Sequence, residues 1–135
     1  MSTHKLGFLD TNVLLYLLDQ DTSKADLAEA LLATKPIISI QVLSEFTSVA
    51  RRKLALAWNE IEEITETIRE VCSVESLTLD TYGGALRLSE RYGMPWYDAM
   101  IMSSALLAGC ATLYSEDFQH GQLIDRKLKV INPFA

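Results

Sequence analysis

Short apolar runs of β character alternate with longer runs of helical periodicity along the chain, and that alternation limits the fold more than any other feature. "LGFLD" reads as a buried strand, and "NVLLYLLD" after it as a short helix. "TSKADLAEALLA" follows as a helix, with Ser23 and Asp26 at capping-box spacing and Leu27, Leu31 and Leu32 on one face. "KPIISI" is a second, β-branched strand. "SIQVLSEFTSVARRK" is a helix capped by Ser39, with Val42, Leu43, Phe46, Val49 and Ala50 at helical spacing. "WNEIEEITETIREVC" is another, with Asn59 and Glu62 at capping-box spacing. "SLTLD" returns to strand. "YGGALRLSERYGM" is a helix ending near Gly93, and "PWYDAMIMSSALLAGC" one opened by Pro95 and stopped at Gly109. "ATLYSED" and "KVINPF" read as the last strands. The order predicts an α/β fold: a three-layer α/β/α sandwich around a central, mostly parallel sheet of four to five strands. No repeat, linker or low-complexity tract interrupts it, so one domain is expected over residues 1–135.

The bulk numbers narrow the class. An apolar content of 49% with 22% charged residues predicts a packed core rather than disorder. No apolar run approaches the roughly 20 residues that span a bilayer. The first residues lack a signal-peptide layout, so no membrane and a cytoplasmic location are expected. Cys72 and Cys110 make no disulfide framework, and His4 and His120 have no zinc-site spacing. A net charge of −6 argues against broad nucleic-acid binding, but the charge is uneven. Residues 60–75 hold six acids against Arg69 alone, whereas Arg51, Arg52 and Lys53 stand together.

The acids fall where an α/β sheet binds ligands, beyond the carboxyl ends of its strands. Asp10 ends the first strand and Asp117 follows "TLYSE". Asp98 opens the helix after "GMPWY", and Glu45 lies in the first turns of another helix. All four can reach one rim. Gathered carboxylates repel and raise one another's pKa, so such a cluster calls for a cation. Hard oxygen ligands without a histidine or thiolate suit Mg²⁺ or Mn²⁺, at about 2.1 Å for Mg²⁺. Ions of this kind serve phosphoryl chemistry, one alone or two about 4 Å apart. Each acid also has a plain alternative. Asp10 and Asp117 could be turn or cap residues, Asn12 and Thr11 caps, Glu45 a partner of Arg51 or Arg52, and Asp98 a first-turn charge favoured by the helix dipole.

In order along the chain, "FLDTNVLLYLLD", "SEF", "WYDAMIMSSALLAGC", "LYSEDFQHG" and "INPF" together resemble the PIN-domain nucleases, and within them the toxin-type ribonucleases of bacterial toxin–antitoxin pairs. The resemblance runs from about Leu6 to Phe134. It implies that Asp10, Glu45, Asp98 and Asp117 are catalytic and hold Mg²⁺ or Mn²⁺, with Asn12 and Ser115 supporting them. Glu116 either assists Asp117 or points away. The implied reaction is hydrolysis of single-stranded or looped RNA to a 5′-phosphate product. The resemblance also implies a homodimer and a small antitoxin partner.

Four acids repel a phosphate backbone, so grip must come from elsewhere. Arg51, Arg52 and Lys53 are the best RNA-contact candidates and Arg87 a weaker one; a solvated helix end is the plain alternative. Trp96 and Tyr97 flank Asp98 and could stack a base or pack inward. Leu14, Leu15, Leu17, Leu18 and Leu31 exceed what two helix faces need, which suits a partner surface or a thick core. Three rivals remain: a metal-dependent phosphatase, a DNA nuclease, and a catalytically silent domain that binds protein or RNA. Against the phosphatase, Asn12 stands where an Asp-nucleophile loop would carry its second Asp.

Overall fold

The computed structural model describes residues 6–135, so His4 lies outside the described residues. A six-stranded sheet has the order β3-β2-β1-β4-β6-β5. Its strands are β1 (Gly7–Leu9), β2 (Ile37–Ser39), β3 (Ser73–Glu75), β4 (Thr112–Tyr114), β5 (Leu123–Ile124) and β6 (Leu128–Ile131). All neighbours pair in parallel except β5 with β6. The helices are α1 (Thr11–Leu15), continued by a 3₁₀ turn over Tyr16–Leu18, then α2 (Thr22–Leu32), α3 (Ile40–Arg52), α4 (Trp58–Val71), α5 (Leu79–Tyr92) and α6 (Trp96–Leu107). This is the expected mostly parallel sheet flanked by helices, enlarged by the two-residue β5.

The central strands are covered by helices on both faces, which is why they read as nearly unbroken apolar runs. Val130, Leu113, Phe8 and Ile37 lie in one row across β6, β4, β1 and β2. Phe8, Leu113 and Val130 are wholly buried, with Ile38 beside Ile37 also at 0% exposure. Above and below them pack Val13, Leu14, Val42, Phe46, Leu88 and Met102. The leucine surplus is mostly core: Leu14 is buried, and Leu15, Leu17, Leu18 and Leu31 pack against the same cluster. Among the described residues no helix is long and apolar enough to cross a membrane.

Several local expectations shift. The third strand is Ser73–Glu75 rather than "SLTLD". Thr78 caps α5 instead: its Oγ1 accepts from Thr81 N, and Thr81 Oγ1 accepts from Thr78 N. α2 is capped by Asp21, whose Oδ1 accepts from Ser23 N at 3.0 Å, not by Ser23. α4 starts one residue before Asn59, because Glu60 reaches back to accept from Ala57 N. Ser39 caps α3 as expected, and Gly93 and Gly109 adopt positive φ at the ends of α5 and α6.

The β5–β6 connection was not foreseen. Asp125 and Arg126 both take positive φ, 51° and 58°, and Lys127 N donates to Ile124 O at 3.0 Å. That is a two-residue mirror-type hairpin turn, whose twist suits the flanking strands. Asp125 is fixed there by Arg87 at 2.6 Å and by Tyr92 Oη at 3.1 Å, tying α5 to the turn. The hydrogen bond from Arg87, helped by Tyr92 and Arg91, holds the Asp125 carboxyl below the usual carboxylate range.

Two measurements test these packing arguments. A Cβ at Gly83 would meet nothing within 4 Å, whereas one at Gly84 would collide with Ser103 Oγ, which donates to Thr81 O across the α5–α6 contact. Gly83→Ala is therefore expected to stabilise the protein by about 0.5–1 kcal/mol in urea denaturation. Gly84→Ala is expected to destabilise it, since overpacking costs about 1–3 kcal/mol against that same gain. For Asp125, the lowered folded pKa means that the unfolded chain takes up the proton first. The pair contributes stability above the unfolded Asp value of about 3.9 and loses it as pH falls through the folded value. The stability gap between the native protein and Arg87→Gln should be present at pH 7 and shrink under acid conditions. A gap that holds in acid would rule out the ion pair as its source.

Candidate active site

The first carboxylate is placed by the sheet itself. Asp10 follows β1, and its backbone N–H continues the ladder by donating to Tyr114 O at 3.0 Å. Because β1 and β4 are parallel neighbours, the residues after them emerge together, and Asp10 meets Ser115. Ser115 is wholly buried and Asp10 is only 5% exposed. Ser115 Oγ donates to Asp10 Oδ2 at 2.8 Å, and Thr11 N donates to Asp10 Oδ1 at 2.7 Å.

Asn12 closes this corner. Its Nδ2 lies 3.3 Å from Asp10 Oδ2, 3.2 Å from Ser115 Oγ and 3.0 Å from Asp117 Oδ2. Its Oδ1 accepts from Glu116 N at 3.3 Å, and Ser115 Oγ accepts from Asp117 N at 3.0 Å. One amide and one hydroxyl thus hold two acids from opposite ends of the chain. Glu116 is turned elsewhere: Tyr16 Oη donates to its Oε1 at 2.7 Å, which pushes the Tyr16 phenol up to about 12. Tyr16 in turn packs against Phe134, with ring centroids 4.4 Å apart and the ring planes tilted by 58°.

Glu45 arrives from the second turn of α3, whose start is fixed by the Ser39 cap after β2. Thr11 Oγ1 donates to its Oε2 and Gln41 Nε2 to its Oε1, both at 2.9 Å. Asp98 stands half-buried in the first turn of α6. The acids feel one another. Burial raises Asp10 most, to about 6, and the charges of Asp117 and Glu45 add to it against the hydrogen bonds from Ser115 and Thr11. Burial likewise raises Asp98, again with Asp117 and Glu45 contributing. Asp10 and Asp98 thus each feel the charges of Asp117 and Glu45.

Among the described residues, no three or more His, Cys, Asp or Glu side chains are gathered tightly enough to hold a metal ion. The donor chemistry still suits a hard divalent cation: carboxylate, amide and hydroxyl oxygens predominate. The salt bridges found among the described residues involve Asp125, and among those residues no cation forms a salt bridge with any of the four acids.

The basic candidates divide. Arg52 lines a cavity of about 270 Å³ together with Thr11, Asn12, Glu45 and Asp117. Lys53 lines the adjoining one with Tyr16 and Glu116. Arg51 is turned to α4, its guanidinium 4.8 Å from the Trp58 ring centre and its Nη1 bonded to Leu56 O. Arg87 is committed to Asp125. Trp96 packs edge-on to Tyr82 at 5.4 Å, while Tyr97, beside Asp98, is 70% exposed. His120 is exposed, and its Nδ1 accepts from Asn132 N. Sequence reasoning missed Gln41, Tyr16 and the bond from Thr11 to Glu45. Gln41 had one local signal, its place four residues before Glu45 on the same helix face.

The sequence matches the PIN domain family over residues 7–123. No curated protein matches it. Among solved structures, a toxin–antitoxin complex from Klebsiella pneumoniae superposes with a TM-score of 0.72 at 20% identity, covering 94% of this chain and 97% of that one. VapC20 of Mycobacterium tuberculosis, described as a sarcin-ricin-loop-cleaving toxin, gives 0.65 at 23% identity, covering 84% and 89%. FitAcB from Neisseria gonorrhoeae gives 0.68 at 14% identity, covering 96% and 99%. At these identities the structures establish a shared fold, and the family match over most of the sequence establishes the kinship: the chain belongs to the PIN-domain family.

Proposed function

We propose that this protein is a divalent-metal-dependent endoribonuclease, the toxin of a toxin–antitoxin pair, working in the cytoplasm as one nuclease domain over residues 1–135. The observation that carries the reading is the corner in which Asn12 and Ser115 hold Asp10 beside Asp117, with the charges of Asp117 and Glu45 adding to the burial that raises both Asp10 and Asp98. Such a charge cluster is unfavourable without a cation and has an evident use with one. The toxin–antitoxin context is supported by the structural relatives, one of which is itself such a complex. A small antitoxin partner belongs to the proposal. So does a homodimer, for which α5 offers Leu79, Tyr82 and Leu86, exposed along one helical face.

Asp10, Glu45, Asp98 and Asp117 would hold Mg²⁺ or Mn²⁺. The ion, when bound, lowers the pKa of an attacking water and offsets charge developing on the phosphodiester. The chain's own residues set the stage. Ser115 and Asn12 keep Asp10 and Asp117 in register, and Thr11 aims Glu45. Asp117 takes the fourth acidic role and Glu116 does not, since Glu116 is already bound by Tyr16. Arg52 is the residue best placed to contact a backbone phosphate next to the acids, with Lys53 beyond it. Tyr97 can offer its ring to an unpaired base.

The direct test is cleavage of single-stranded RNA by purified protein with Mn²⁺ or Mg²⁺, beside Asp10→Asn and a matched single-stranded DNA. RNA cleavage that stops on chelation and falls at least about 100-fold in Asp10→Asn is expected, as loss of a ligand should exceed the loss of an outer-shell partner. Equal cleavage by both proteins would end the reading, and preferential cleavage of DNA would redirect it. In the same assay Arg52→Ala should raise KM for RNA and flatten the salt dependence of binding by a slope of about 0.7, the value for one single-strand phosphate contact. An unaltered slope would remove Arg52 from the RNA path.

A further inference from the structure

Gln41 lies in the first turn of α3 and is only 8% exposed. Its Nε2 donates to Glu45 Oε1 at 2.9 Å and to Tyr97 O at 3.1 Å. Its Oε1 is buried and has no partner among the described residues. That orientation follows from the chemistry of the neighbours. A carboxylate and a carbonyl are both acceptors, and turning the amide over would set a third acceptor against them. Both amide protons are thus used, and the oxygen goes without a protein donor. A buried amide oxygen left without a donor is costly, and the two bonds made by the nitrogen are what hold the side chain in that orientation.

The two acceptors belong to different helices. Glu45 is one turn further along α3, and Tyr97 is the residue before Asp98 in the first turn of α6. The Gln41 side chain is therefore a strut between the two helices that carry Glu45 and Asp98. Thr11 Oγ1 holds the other oxygen of Glu45, so that carboxylate cannot rotate without losing one of two bonds.

We propose that Gln41 is a positioning residue for the acidic site: its amide orients Glu45 and locks α3 to the first turn of α6, so that Glu45 and Asp98 reach a bound cation as a rigid pair. The inference rests on the nuclease reading and names a residue that the four acids do not include. The role is geometric, and Gln41 itself touches neither substrate nor ion.

The test uses the full-length protein and Gln41→Met, which keeps the bulk of the side chain and removes both donors; Gln41→Leu serves should the Met variant lose the native circular dichroism spectrum. Mn²⁺ binding is measured by calorimetry, and RNA cleavage is resolved into kcat and KM. A fall in Mn²⁺ affinity of about 10-fold or more, the range for outer-shell partners, with lowered kcat and little change in KM, is expected. A double-mutant cycle with Glu45→Gln separates positioning from general packing. If Gln41 acts through Glu45, adding Gln41→Met to Glu45→Gln lowers Mn²⁺ affinity little further. Native Mn²⁺ affinity in a folded Gln41→Met variant, or full additivity in the cycle, would overturn the role of Gln41 and leave the nuclease reading standing. A native protein that neither binds Mn²⁺ nor cleaves RNA would overturn both.

Discussion

Everything at this site leans on one buried carboxylate. Asp10 is carried to the interior by a strand that must be apolar to lie in the middle of a covered sheet, and it stops at the point where that strand ends. A charged group there is costly to desolvate, and the chain answers with short donors: a backbone N–H, a serine hydroxyl and an asparagine amide. Each donor has a second job. Ser115 also accepts from Asp117 N, and Asn12 also reaches Asp117 and Glu116. Stabilising the first acid and placing the last are one arrangement, which is why residues more than a hundred positions apart form a single corner.

The parallel pairing makes that economy possible. In a hairpin, neighbouring strands would deliver their ends to opposite rims. With β2, β1 and β4 side by side and parallel, the residues after each strand collect at one rim, where α1 and α3 also begin. Side chains in the first turns of those helices then face the strand ends. α6 joins the same edge through Gln41 and Tyr97.

Much of this was legible in the letters, and the reasons differ by element. The strand–helix alternation was plain because β1, β2 and β4 are short apolar blocks bounded by polar residues, while α3 and α4 carry long periodic faces. Asp10, Glu45, Asp98 and Asp117 stood out because each interrupts an apolar setting at a predicted strand end or helix start. Other features had no local signature. "SLTLD" alternates like a strand, and only the reciprocal bonds of Thr78 and Thr81 make it a helix entrance. The Asp125–Arg126 turn holds no glycine, so its letters give only the weak signal of an aspartate for positive φ; Arg87 and Tyr92, 38 and 33 positions away from Asp125, hold it. The choice between Glu116 and Asp117 depends on Tyr16, 100 positions away from Glu116. Gln41 reads as an ordinary polar residue until Tyr97, 56 positions on, is brought beside it.

The margins of the sheet carry a separate consequence. β3 and β5, which close its two sides, run for only three and two residues. Strips that brief display too few free amides and carbonyls to recruit a foreign strand, and Glu75 adds charge to one of them. Such margins are poor templates for backbone zippering, which leaves the side chains on the helices and at the acidic rim as the better surfaces for recognition.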